Sequence, residues 1–178
     1  MATTSDWYAV QVSPGKEEAT CRLMRRLVPA RVLDEAFTPR FASQKKYQGE
    51  WRACSQVLFP GYVIAVTPDV QALHDSLTGV PEFTRLLAMG ETYLPLEERD
   101  RAWIEALTSR ECRTVQMSQA IYEGDRVVVT SGPLVGHEAW IDSVNRHKGL
   151  AYLRIQMFGR TIHTKVGLAV VARRPSDS

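Results

Sequence analysis

The stretch VVVTSGPLVGHEAWIDSV, Val127 to Val144, sets two β-rich runs around a Gly-Pro turn, and the basic group Asn145-Arg146-His147-Lys148 follows directly. Val127, Val128 and Val129 favour a strand because β-branched side chains suit a pleated surface, and Ser131-Gly132-Pro133 is turn chemistry. Ile141 and Val144 then read as a returning strand that needs little more than a hairpin to pair with the first. The stretch predicts a small β-barrel that carries cations on a loop.

Flanking residues extend the pattern. Ile121-Tyr122-Glu123-Gly124-Asp125-Arg126 leads into the first strand, and Ile155 to Arg160 (IQMFGR) follows the loop. Together with Gly132-Pro133-Leu134 and Gly136, these residues resemble a KOW domain, the SH3-like barrel at the C-terminus of NusG-family proteins. Where that family usually carries Gly before the second strand, this chain has Ala139-Trp140, a Trp placed to face a partner or to fill the barrel rim.

The 178 residues fit one medium domain or two small ones, with the apolar fraction of an ordinary globular protein, 44%. No apolar run approaches the ~20 residues of a membrane span. The start, Met1-Ala2-Thr3-Thr4-Ser5-Asp6, lacks the basic and apolar regions of a signal peptide, so a cytoplasmic protein without membrane contact is expected. Cys21, Cys54 and Cys112 are odd in number and far apart, which suggests reduced, structural thiols and neither a disulfide framework nor a metal site. Net charge is +2, but residues 1–108 hold 12 Lys and Arg against 14 Asp and Glu, and residues 109–178 hold 10 against 6. The second part, at +4 against −2, also has His137, His147 and His163, three of the four histidines. Such clustering, more than the sum over the chain, is what phosphate binding draws on.

Toward the N-terminus, Trp7-Tyr8-Ala9-Val10-Gln11-Val12 reads as a strand ended by Ser13-Pro14-Gly15. Lys16 to Val28 reads as a helix with Ala19, Leu23, Met24 and Leu27 on one apolar face. Val32 to Phe41 follows as a strand, Gln44 to Arg52 as a basic segment with a Gln48-Gly49 turn, and Tyr62 to Val66 as a buried strand. Asp69 to Leu77, opened by Thr67-Pro68, and Leu96 to Leu107 are further helices. This order predicts an α+β fold, an N-terminal α/β sandwich on a mostly antiparallel sheet followed by the barrel. Trp7-Tyr8, Pro14-Gly15-Lys16-Glu17, Leu58-Phe59-Pro60-Gly61-Tyr62-Val63 and Tyr93-Leu94-Pro95-Leu96 resemble the NusG N-terminal (NGN) domain. The domains are then 1–108 (NGN-like), 109–118 (a polar, flexible linker) and 119–178 (KOW).

The resemblance implies a transcription elongation or antitermination factor whose NGN domain binds the clamp of bacterial RNA polymerase through an apolar patch. The matching positions are Trp7, Tyr8, Phe59, Pro60 and Tyr62, and such a patch must be exposed to gain affinity by leaving water. Their alternative is to pack the sheet against its helices. Asn145 to Lys148, Phe158-Gly159-Arg160 and Val166-Gly167-Leu168 resemble the LoaP group of specialised NusG paralogues, which implies recognition of a leader RNA hairpin by Arg146, His147, Lys148, Arg160 and Lys165. Arg40, Lys45, Lys46 and Arg52, interleaved with Tyr47 and Trp51, form a second basic group suited to stacking on exposed bases, and the resemblance sets it near upstream or non-template DNA. The other reading of such charge runs is a solvated face.

Two further classes compete. As an adaptor, the barrel would bind a ribosomal protein or Rho, as in housekeeping NusG proteins; Ile121, Val127, Leu134, Phe158 and Ile162 are core or partner face in either case. An enzyme would draw on Cys54 or Cys112 with a His, or on Glu97, Glu98 and Asp100, but the sequence has no P-loop, nucleophile elbow or HExxH, and the N-terminal part has a single histidine, His74. The expectation is a monomer that is not an enzyme and needs no cofactor or metal. The β-branched runs Val127 to Val129 and Val166 to Val171 predict a constitutive barrel.

Overall fold

A computed structural model describes residues 4–175. Met1, Ala2 and Thr3 of the stretch read for a signal peptide, and the last three residues of the expected 119–178 domain, lie outside them. The chain divides into two compact units, Met1–Pro39 with Phe59–Ala106, and Arg40–Leu58 with Leu107–Ser178.

In the first unit, strand β1 (Asp6–Val12) is followed by helix α1 (Glu17–Leu27) and strand β2 (Glu35–Phe37). Strands β3 (Arg40–Tyr47) and β4 (Glu50–Val57) belong to the second unit; the first resumes with β5 (Tyr62–Thr67), α2 (Val70–Leu77), β6 (Thr84–Leu86), β7 (Ala88–Met89), β8 (Thr92–Tyr93) and α3 (Glu98–Leu107). Its sheet runs β2-β5-β1-β6 with every pairing antiparallel, as expected. The single strand read over Val32 to Phe41 is broken: Pro39 has no N–H to give a ladder, and β2 ends two residues before it. The buried side of α1 is Glu17, Thr20, Cys21 and Met24, so the face is rotated from the expected one and Leu27 is exposed. Acidic residues in its first turn and Arg25 and Arg26 in its last complement the helix dipole. Asp69 caps α2, its Oδ1 accepting from Ala72 N at 3.0 Å.

Glu17 joins two of the motif segments. Its buried carboxylate accepts from Gly15 N at 3.0 and 3.1 Å and from Gly61 N at 2.8 Å, so the Pro14-Gly15 and Pro60-Gly61 turns share one acceptor. Gly61 O in turn accepts from Val12 N at 2.8 Å.

In the second unit, β9 (Thr114–Val115) lies within the segment expected to be a free linker and runs parallel to Arg40 and Phe41 of β3. Strands β10 (Ser118–Glu123), β11 (Arg126–Ser131), β12 (Ile141–Asn145), β13 (Leu150–Met157) and β14 (Arg160–Arg174) form the barrel sheet, ordered β11-β10-β14-β13-β12. The hairpin pairing read for Val127–Val129 with Ile141–Val144 does not form. β11 pairs with β10 and β12 with β13, because a 3-10 turn at Glu138–Trp140 redirects the chain between them. There Trp140 stacks on His137 at 4.0 Å between ring centroids. Ile121, Leu134 and Ile162 are buried in the barrel, while Val127 and Phe158 are half-buried, Phe158 at a positive φ of 58° in the β13–β14 turn. Gly132, at φ 97°, packs so closely on β10 that a Cβ would stand 2.6 Å from Ser118 Cα.

Candidate nucleic-acid interface

The β3–β4 hairpin turns on Gln48 (φ 49°) and Gly49 (φ 83°), the left-handed pair that matches strand twist in a two-residue turn. Register places Lys46 opposite Trp51 and Lys45 opposite Arg52. Lys46 Nζ lies 6.0 Å above the Trp51 ring and the Arg52 guanidinium 4.9 Å from the Tyr47 ring, while Trp51 and Tyr47 are 49% and 54% exposed. These aromatic surfaces are covered by cations and left open to solvent.

Within the same unit, the β12–β13 loop is an ordered turn in which Asn145 Oδ1 accepts from Lys148 N at 3.0 Å and Gly149 takes φ 63°. The turn divides its cations. Arg146 lies 5.6 Å from the Tyr122 ring, beside Arg173 at 5.3 Å. His147 and Lys148 instead line a cleft of about 440 Å³ together with Lys45, Lys46 and Lys165. Trp51, Tyr152, Cys54, Ser43, Gln44, Gln56 and Leu150 complete its wall, to which none of the described residues brings a carboxylate. The hairpin and loop cations, read from sequence as two groups, therefore share one site. Like charges gathered without counter-ions repel one another, and an anion entering the cleft relieves that repulsion.

The remaining predicted cations stand apart from the cleft wall. Arg40 is turned along the hairpin, donating from Nε to Ser55 Oγ and from a terminal nitrogen to Ser55 O, both at 2.8 Å. Arg52 lies over Tyr47, and Arg160 is exposed at the start of β14. Sequence reading missed Tyr152, whose position in β13 gave no separate signal, and took Gly167 only as part of the Val166-Gly167-Leu168 resemblance, without its packing role. A Cβ on Gly167 would collide with the Ala42 carbonyl oxygen and come within 2.5 Å of Met117 Cγ, so this glycine lets β3 lie against β14. Thr164 Oγ1 also donates to Leu58 O.

The aromatic positions carried over for polymerase binding do not form the exposed patch required of them. β1 is an interior strand covered on both faces. Tyr8 joins the core with Cys21, Met24, Leu73 and Leu77, and Trp7 packs edge-on against Phe37 at 5.3 Å with Arg101 5.2 Å from its ring. Phe59 is also buried; Pro60 is exposed and Tyr62 half-buried. Burial, with the Asp6 charge second, raises the Tyr8 phenol above its ordinary value.

Burial also pushes the Cys21 thiol up to about 12, which keeps it protonated and unreactive. Cys54 is half-buried with its Sγ 2.9 Å from Ser43 Oγ, and Cys112 is exposed. Among the described residues no three His, Cys, Asp or Glu side chains are grouped to hold a metal, and no helix is long and apolar enough to cross a membrane.

The chain is thus an α/β sandwich unit and a β-barrel unit that carries a cationic cleft, a two-part architecture. Residues 5–105 match the family described as transcription termination factor nusG, and residues 123–155 match the KOW motif. The chain belongs to the NusG family. It is 25% identical over 169 residues to the transcription termination/antitermination protein NusG of Campylobacter jejuni subsp. jejuni, covering 92% of this chain and 94% of that protein. It is 24% identical over 182 residues to the NusG of Thermus thermophilus, covering 94% and 98%. The solved structure described as "Domain interaction in Thermotoga maritima NusG" shares the fold, with a TM-score of 0.58 at 20% identity over 96% of both chains.

Proposed function

We propose that this NusG-like termination/antitermination factor acts in the cytoplasm as a LoaP-like antiterminator, holding a structured leader RNA on its second unit while its first unit binds RNA polymerase. The observation that carries the RNA reading is the cleft in which Lys45, Lys46, His147, Lys148 and Lys165 meet with no carboxylate among the described residues of its wall. Phosphate contacts give most of such affinity and position the RNA, and bases in loops or bulges give selectivity. On the first unit, the polymerase-facing surface is assigned to the turn at Pro60 and Tyr62, with Trp7, Tyr8 and Phe59 as buried support. Joining two binding units on one chain raises the local concentration of each partner once the other is held. Neither role calls for bond chemistry by the protein.

The full-length protein would be titrated with a labelled leader RNA hairpin across a salt series, beside the variant Lys45→Glu, Lys46→Glu, Lys148→Glu and Lys165→Glu. The expected result is affinity that falls steeply with salt and drops at least about 100-fold in the variant. Equal binding by the two proteins would reject the RNA role. A second reading, a general adaptor whose barrel binds a ribosomal protein or Rho, is favoured by the plain NusG names of the relatives, and equal binding would leave it standing.

A further inference from the structure

The cleft has more than charge. Its volume, about 440 Å³, falls in the ~300–1,000 Å³ range of pockets that enclose a small ligand, so it admits a nucleotide or two and is too small for a double helix. Its wall presents two aromatic rings, Trp51 from the hairpin and Tyr152 from the barrel, among four lysines. Trp51 is half exposed even though Lys46 lies over its ring, a large apolar surface left in water within a cationic site. A duplex offers phosphates to such a site but keeps its base faces stacked. An unpaired strand offers both, and a base laid on an aromatic ring is sequence-tolerant because every base has a π-face.

We propose that this cleft is a composite site for unpaired RNA, in which a base stacks on Trp51 of the hairpin and flanking phosphates lie on Lys45, Lys148 and Lys165 from hairpin and barrel together. The site is composite because the parallel β3–β9 pairing and the close approach of Ala42 to Gly167 hold the hairpin against β14. In the reading on which this rests, RNA binding by the second unit, the unpaired loop of a leader hairpin becomes the part that enters the cleft.

The test uses the full-length protein with a labelled 12-nucleotide single-stranded RNA and the fully paired duplex of the same sequence, followed by fluorescence anisotropy. Single-stranded RNA is expected to bind at least tenfold more tightly than duplex. Trp51→Ala, a surface change that leaves the fold intact, should weaken single-strand binding roughly tenfold while duplex binding stays within twofold, and Trp51→Phe should restore most of the loss. Lys148→Glu, on the barrel side, should also weaken single-strand binding by about tenfold or more. Equal affinity for the two RNAs, or single-strand binding unchanged in either Trp51→Ala or Lys148→Glu, would overturn the composite site. Such a result, with the fourfold Lys variant still defective on the leader hairpin, would leave the broader RNA role intact, whereas failure of that variant to lose binding would remove both.

Discussion

The two units carry opposite charge on similar amounts of chain. Residues 1–39 and 59–106 hold 8 Lys and Arg against 13 Asp and Glu, net −5, and residues 40–58 and 107–178 hold 14 against 7, net +7. Splitting the sequence near residue 108 gives only −2 and +4, because the cationic hairpin is then counted with the sandwich. The difference teaches that grouping residues by packing separates two surface chemistries that chain order mixes. An acidic unit repels nucleic acid and has to meet a macromolecule by shape and local contacts, while the basic unit attracts polyanions at a distance.

Each unit can be disturbed without touching the residues of the other. The largest effect is expected in the basic unit from Gly132→Ala, which combines a left-handed φ with a Cβ 2.6 Å from Ser118 Cα; about 4 kcal/mol of barrel stability should be lost. Amide exchange under increasing urea, read in the interior strand β10, would check it, and protection in β1 should be unchanged. Glu17→Ala is the counterpart in the acidic unit. It leaves the Gly15 and Gly61 amides without their acceptor and should cost about 2 kcal/mol, read as faster amide exchange in β1 and β5 with barrel exchange unaffected.

A graded effect, small near pH 9, separates the units by pH. Cys21 has a folded-state value raised from 9.0 to about 12, so its contribution is fully present below pH 9 and is lost as pH rises toward the folded value. In that window the unfolded chain has released the proton and the folded chain has not, so stability falls by roughly 1.4 kcal/mol per pH unit. Thermal melts between pH 8 and pH 11 should show this slope in the sandwich, and Cys21→Ala should flatten it. A slope unchanged in that variant would assign the alkaline loss to another group.

Local chemistry was readable where it decides structure alone. Aromatic and β-branched content located β1, the Gln48-Gly49 pair located the hairpin turn, and Thr67-Pro68-Asp69 marked the start of α2. Strand order was not, since β10 takes β14 as its second neighbour, some 50 residues further on, and composition carries no record of that pairing. Trp7 and Tyr8 look alike whether they face a core or a partner. Here both faces of β1 are covered, and Trp7 and Tyr8 are both buried. The cations of the cleft were each visible in sequence, but their convergence depends on Gly167, whose missing side chain matters only once β3 lies beside it.

Strand β14 runs unbroken from Arg160 to Arg174, pairing its first half with β13 and its second with β10, parallel, across about 50 residues of chain. During synthesis β10 therefore emerges long before the strand that completes its ladder, and the barrel cannot close until residue 174 has left the ribosome. The β3–β4 hairpin, a local element of residues 40–57, needs no such wait. The parts of the cleft are thus made at different times, the hairpin first and the barrel wall last, and the cationic site is completed in one late step.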